Sequence, residues 1–387
     1  MRIYLDFNAT APLRPEALAA MLAALEAHGN AQSVHAEGRA ARATIERARK
    51  DVAELAGASP DTVVFTSGGS EANALALRGA VRGAAAAGER VTRLIVSAVE
   101  HESVHANALA CEETTAGLRV LTCPVTASGV VDLVALRRLL EEGKGRALVS
   151  LMAANNETGV VQPVAEAAAM AREHEALFHC DAVQAFGKSV VNVAEWDADY
   201  VSMSAHKLGG PQGIGALIAR QGAPLQPQTR GGGQELGRRA GTENVAGIAG
   251  FAAAAQAAAR DLANTGVRLA RREALERRLK IASPDTIVFG EGVDRLANTV
   301  CVAAPAVPAE NMVIALDLDG IAVSAGAACS SGKVTQCRVL TAMGVEPRVA
   351  ASAIRVSFGW STKDEELAAF AEAWARIVKR AEARAAA

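Results

Sequence analysis

Short apolar runs that alternate with longer helical segments constrain this chain more than any other feature. Runs at 62–65, 93–97, 120–123, 147–152, 177–179 and 200–202 read as strands, each nearly continuous in Val, Leu, Ile, Phe or Ala. Between them lie helical stretches beginning near Glu71, near Ser103, at 133–140 and at 164–173. Strands buried on both faces and separated by helices predict an α/β fold with a mostly parallel sheet. In such sheets ligands collect where strand ends meet helix starts. Upstream, 11–55 reads helical with an irregular break at 28–33, and downstream an Ala-rich stretch at 244–279 reads as one long helix bridging to a second unit. That unit carries shorter strands at 286–289, 298–302 and 353–358, then a helix opened by the capping-box pattern Thr362-Lys363-Asp364-Glu365.

At 387 residues the chain is long enough for two domains. A formal charge of −2 gives no basic surface for nucleic acid. No apolar stretch is long enough to span a bilayer, and Met1–Phe7 lacks the apolar region of a signal peptide. The six cysteines are scattered without a C-x-x-C pair, which suits free thiols in a reducing compartment. A cytoplasmic protein is expected.

The chemistry concentrates at strand ends. Ser204-Ala205-His206-Lys207 closes one apolar run and meets a Gly-Gly-Pro turn. An amine held in a dry place becomes a nucleophile toward aldehydes, the linkage by which pyridoxal phosphate is anchored. Asp181, after Leu177 and Phe178, is placed to pair with that cofactor's ring nitrogen. Taken singly, a lysine before Gly-Gly is a turn residue as readily, and an Asp after a strand a helix cap. Gly68-Gly69-Ser70 joins a strand to a helix start, where free N–H groups and a hydroxyl, Gly69 and Ser70 above all, suit a phosphate; such turns also occur with no ligand. The turn is neither a P-loop nor a dinucleotide fingerprint.

His101-Glu102-Ser103-Val104-His105 matches the H-E-x-x-H zinc pattern. With Ser103 as a helix cap, however, His101 precedes the helix and the two rings do not share a face. His101 is better read as an imidazole against the cofactor ring, available for proton transfer. One asparagine of Asn155-Asn156 could bond a ring oxygen or a substrate carboxylate, although Asn-Asn also forms plain turns. Cys329 sits among small residues with Lys333 nearby, and reads as a reactive thiol only slightly better than as an inert one; Cys337 reads as structural. Arg355 inside an apolar run needs an anion, either a substrate carboxylate or a structural acid.

Taken together, Leu5-Asp6-Phe7-Asn8-Ala9-Thr10, Thr66-Ser67-Gly68-Gly69-Ser70-Glu71, Glu100-His101, Asn155-Asn156-Glu157, Asp181-Ala182-Val183-Gln184, Ser204-Ala205-His206-Lys207 and Ala327-Ala328-Cys329-Ser330-Ser331 resemble, in order and spacing, the NifS/IscS-like cysteine desulfurases. These are pyridoxal-phosphate enzymes of the class-V aminotransferase group. The resemblance implies a fold-type I transferase with a large domain at 12–255. A smaller α+β domain, 1–11 and 256–387, would carry the cysteine loop. It also implies site roles. Lys207 would hold the cofactor aldehyde and move the Cα proton, with Asp181 on the ring nitrogen. Asn156 and Gln184 would lie near the ring oxygen and His101 on the ring. Gly69, Ser70, Ser204 and His206 would hold the phosphate, joined by Thr242 from the other subunit of a homodimer. Arg355, with Asn156, would take the carboxylate of L-cysteine. Cys329 would receive its sulfur as a persulfide, L-alanine leaving. An iron–sulfur scaffold protein or another acceptor would take that sulfur. No permanent metal is implied, only Cys329 lent transiently to an iron–sulfur cluster. The chain departs from the family where Gly69-Ser70 stands for the usual Ala-Thr, and in the detail of the cysteine loop. Two alternatives remain at this point: a related pyridoxal enzyme (selenocysteine lyase or aminotransferase) in which Cys329 carries no sulfur, and the zinc hydrolase suggested by His101 and His105.

Overall fold

The computed structural model describes residues 2–325 and 337–385; Cys329, with Ser330, Ser331 and Lys333, lies outside the described residues. The chain starts with a short strand, β1 (Ile3–Tyr4). It then builds a seven-stranded sheet from β2 (Val63–Thr66), β3 (Val91–Ser97), β4 (Arg119–Cys123), β5 (Arg146–Ser150), β6 (Leu177–Asp181), β7 (Tyr200–Ser204) and β8 (Gly215–Ala219). The spatial order is β2-β8-β7-β6-β5-β3-β4. All neighbours are parallel except β8, which runs antiparallel to both β2 and β7. Strands β2, β6, β7 and β8 are buried along their whole length, as continuous apolar strands covered by helices on both faces must be.

The mostly parallel sheet follows the sequence reading, but β8 does not appear in it. Gly215-Ala216-Leu217-Ile218-Ala219 is rich in small residues and follows glycines that read as loop. Its first residue has to be small, because a Cβ on Gly215 would lie 2.6 Å from the Gly68 carbonyl carbon and 2.7 Å from Met203 O. The strand therefore passes directly against the turn that opens the helix Gly69–Ala86.

The second sheet holds β9 (Ile287–Val288), β10 (Thr299–Ala303), β12 (Ser324–Ala325) and β13 (Ala353–Ser357) in the order β12-β13-β10-β9, all antiparallel. Strand β11 (Ile321–Ala322) instead pairs in parallel with β1. This draws Leu5 into a core with Val300, Val302, Ile354, Val356, Phe370 and Trp374. The expected single helix over 244–279 is two helices, Val245–Asp261 and Thr265–Ala282, joined by a 3-10 turn, Leu262–Asn264. Thr265 Oγ1 donates to Leu262 O at 2.7 Å and Arg268 Nη2 to Asp261 O at 3.0 Å, fixing the joint. The last helix begins at Asp364, and Glu366 reaches back to the Lys363 N–H at 2.7 Å, so the capping contact falls one residue later than expected. Among the described residues no helix is long and apolar enough to cross a membrane.

Candidate active site

The ends of β6 and β7, the start of the helix Gly69–Ala86 and the loop after β5 enclose a cavity of about 330 Å³. It is lined by Gly69, Ser70, His101, Asn156, Asp181, Gln184, Ser204, His206, Lys207 and Arg355. Residues from six separate sequence segments thus share one hollow. An adjoining, more open hollow shares Gly69, Ser70, Ser204 and His206 with it. Thr242 does not join them: it is exposed in the loop before the helix Val245–Asp261.

Lys207 is half-buried, and its Nζ donates to Asn8 O at 2.7 Å and Ala9 O at 2.8 Å. Asp181 ends β6, one of its carboxylate oxygens accepting from Val183 N at 3.0 Å and the other from Asn73 Nδ2 at 2.7 Å. Asn73 also donates to Ser103 Oγ at 2.9 Å. Ser103 in turn meets His101 twice, its N–H at 3.1 Å and its hydroxyl at 2.8 Å from Nδ1. A backbone N–H can only donate, so His101 Nδ1 accepts and the ring's proton sits on Nε2. Asn73 therefore links the carboxylate to the imidazole across the cavity floor. The cap of the helix Glu102–Thr114 is His101 itself, not Ser103 as expected. Its ring is held in place by capping, while His105 lies within the helix. Among the described residues no group of three or more His, Cys, Asp or Glu could hold a metal ion.

Burial keeps the local imidazoles neutral. It pulls the His101 pKa down, with Asp181 opposing and Lys207 and Arg338 assisting. His206 falls to about 4 through burial, helped by the charges of Lys207 and Lys188. Glu100, immediately before His101, is fully buried, and burial and the charge of Asp181 push its pKa well up, against the Met152 N–H and Arg338. Arg355 in β13 bonds Asp6 Oδ1 at 2.8 Å and Glu157 Oε1 at 3.1 Å, and donates to Asn156 O at 3.1 Å. Its structural-acid reading therefore holds even though the residue lines the cavity.

This donor set fits pyridoxal phosphate. It provides an amine for the aldehyde, a carboxylate oriented by two hydrogen bonds for the ring nitrogen, and a neutral imidazole. At the other end a helix N-terminus lies beside Ser70, Ser204 and His206, a place suited to a dianion. Gly69 keeps that helix start close: a Cβ there would stand 2.8 Å from Val183 Cγ2 and 3.4 Å from Ser204 Cβ.

The sequence assigns no role to Asn8, Asn73, Glu100 or Lys188, although Asn8 and Glu100 stand inside motifs that carry the resemblance. Most of their contacts reach across long chain separations. For Asn73 the only hint was a polar amide inside an otherwise apolar helical face.

Comparison with known proteins agrees with this geometry. The family described as aminotransferase class-V matches residues 3–370. A protein of Cereibacter sphaeroides named cysteine desulfurase is 45% identical over 369 residues, 94% of this chain and 92% of that protein. A solved structure titled NifS-like protein superposes with a TM-score of 0.89 at 34% identity, covering 98% of this chain and all of that one. Another, titled SspA in complex with cysteine, gives a TM-score of 0.79 at 29% identity, over 92% of this chain and 99% of that one.

Proposed function

The chain belongs to the class-V aminotransferase family, and from that membership and the cavity at Lys207 we propose that it is a pyridoxal-phosphate-dependent cysteine desulfurase. The observation that carries this reading is the meeting of Lys207, Asp181 and His101 in one cavity of cofactor size. When bound, pyridoxal phosphate supplies an electron sink that weakens bonds around the substrate's Cα. The rest is done by side chains. Lys207 would hold the cofactor through its aldehyde carbon and is the amine available to move the Cα proton. Asp181, fixed by Asn73, would pair with the ring nitrogen, and His101 would stand against the ring. Gln184 and Asn156 would serve the ring oxygen. Gly69, Ser70, Ser204 and His206 would bind the phosphate, with Thr242 contributed by the second subunit.

Arg355 takes the carboxylate of L-cysteine, shared with its two acids. Cys329 attacks the substrate sulfur: the Cβ–S bond breaks, an S–S bond forms, and Cβ takes up a proton. The products are L-alanine and a Cys329 persulfide, so a difficult cleavage is split into two covalent stages.

A homodimer is supported by Thr242, exposed and away from its own chain's cavity, and by Leu18, Leu22 and Leu25, exposed on one face of the helix Pro15–Glu26. A cytoplasmic setting is supported by the free thiols of Cys111, Cys123, Cys180 and Cys301. The sulfur acceptor is an iron–sulfur scaffold protein or another thiol-bearing partner. The large domain, 12–255, carries the cofactor residues, and the smaller unit, 1–11 and 256–387, carries Cys329 and Arg355.

Two variants test the reading. Cys329→Ser should keep the yellow cofactor absorbance and lose alanine formation from cysteine in the presence of a thiol reductant; undiminished desulfuration would remove Cys329 from the reaction. Borohydride should fix the cofactor on Lys207 in the native protein and fix nothing in Lys207→Ala. A label on another lysine would overturn the anchor.

A further inference from the structure

Lys188 is buried behind the cavity, seven residues past Asp181, and the reaction described above does not use it. Its Nζ donates to Asn8 Oδ1 at 2.9 Å and, in a short contact, to Gln184 Oε1. The opposite end of each amide faces a backbone carbonyl, which can only accept. Gln184 Nε2 donates to Asn8 O at 3.0 Å, while Asn8 Nδ2 donates to Asn156 O at 3.2 Å and Thr299 Oγ1 at 3.0 Å. Backbone carbonyls therefore fix which end of each amide is nitrogen, and Lys188 supplies a hydrogen to each oxygen, Asn298 Nδ2 also reaching Asn8 Oδ1 at 3.5 Å.

The charged groups that reach Lys188 are Lys207, Arg355 and Arg268, all cations, and His206 lies within its field. Burial first, and those cations next, lower its pKa well below the ordinary lysine value. Charged or neutral, the amine carries at least two hydrogens, and two acceptors are present to take them.

We propose that Lys188 is a positioning residue that locks the Gln184 side chain with its N–H group toward the cavity, where the ring oxygen of the cofactor would lie. The second Nε2 hydrogen of Gln184 is then presented to that oxygen as a donor. Without Lys188, Gln184 Oε1 would be a buried acceptor with no hydrogen. Relief would come from rotating the amide, which turns the oxygen toward the anionic ring oxygen and replaces attraction with repulsion. This inference rests on the cofactor reading above.

The test is a mutant cycle read on the pH midpoint of the visible cofactor band in the holoenzyme. A hydrogen donated to the ring oxygen draws negative charge away from the neighbouring nitrogen, so losing it strengthens that nitrogen's hold on its proton. Lys188→Met should raise the midpoint by about one pH unit, a tenfold change in proton affinity. Gln184→Leu should raise it by a similar amount, and Lys188→Met/Gln184→Leu no further than either alone. An unchanged midpoint in Lys188→Met overturns the proposal. So does an additive double variant, which would mean that Lys188 acts through its own charge. Should Lys188→Met fail to accumulate, Lys188→Leu, which likewise offers no hydrogen to either oxygen, carries the same cycle with the same deciding comparison. Borohydride fixation of the native protein separates the two levels. A label on Lys207 with an unshifted midpoint defeats only the role of Lys188, whereas no label on Lys207 defeats the cofactor reading.

Discussion

At position 69 a missing side chain lets the first turn of the helix Gly69–Ala86 settle onto Val183 and Ser204. An alanine Cβ would stand 2.8 Å from Val183 Cγ2, and valine, branched at Cβ, has little rotamer freedom with which to yield. Gly69 and Val183 thus act as a matched pair, and the chain's departure from the family's usual alanine has a physical counterpart across the cavity. Gly69→Ala should cost roughly 1–3 kcal/mol of stability through overpacking and should weaken cofactor retention, because the phosphate-facing turn is pushed outward. Adding Val183→Ala should restore most of both. Denaturant titration and cofactor release on dialysis would read the two effects; a double variant as poor as the single one would mean that the turn itself, not the contact, requires glycine.

Among the elements, β5, β6 and β7 are joined by more than backbone hydrogen bonds. His179 of β6 is fully buried, with Nδ1 2.8 Å from Ser150 Oγ on β5 and Nε2 3.0 Å from Ser202 Oγ on β7. Burial lowers its pKa to about 4, against the opposing influence of Asp181. The folded imidazole is therefore neutral where an unfolded one, near 6.5, begins to take a proton. The stability it preserves is complete above about pH 6.5 and is lost as pH falls toward 4. The loss amounts to about 3 kcal/mol. Glu100 contributes in the opposite sense, because its raised pKa favours the folded state at low pH. The comparison must therefore be between the native chain and His179→Gln: between pH 7 and 4 the native chain should lose about 2–3 kcal/mol more. Parallel slopes in urea titrations at the two pH values would contradict this.

The same strands were legible in the sequence because each is a continuous apolar run ending in polar residues, and the polar ends proved to share one cavity. Strand β8 was not, since small residues and flanking glycines look like loop until a tight approach to Gly68 explains them. Nor was the break at Leu262–Asn264, where the helical pattern continues without proline. Lys188 was illegible for a different reason. One of its two partners, Asn8, comes from the far end of the chain, and a Gly-Lys-Ser triplet by itself looks like a solvated turn.

At the scale of the whole molecule, the two cores meet where the first ten residues pass between them. Leu5 packs in the second core, while the backbone oxygens of Asn8 and Ala9, a few residues on, accept from Lys207 beside the first. Arg355 clamps this crossing from β13, holding Asp6 of the N-terminal segment and Glu157 of the loop after β5. All three side chains are largely buried, so removing the cation leaves two acids facing each other in a low-dielectric place. Arg355→Ala should therefore do two separable things. Without substrate or cofactor it should lower stability by about 3–5 kcal/mol, as expected when one partner of a buried ion pair is deleted. It should also loosen the joint between the cores, so that calorimetric unfolding of the variant is broader than that of the native chain, or divides. With cofactor restored, the surviving fraction should show a raised KM for L-cysteine, because the carboxylate has lost its guanidinium. Asp6→Asn/Glu157→Gln in the Arg355→Ala background removes the stranded charges but not the need for a clamp. It should recover much of the stability and none of the substrate affinity. Recovery of both would assign Arg355 to the architecture alone.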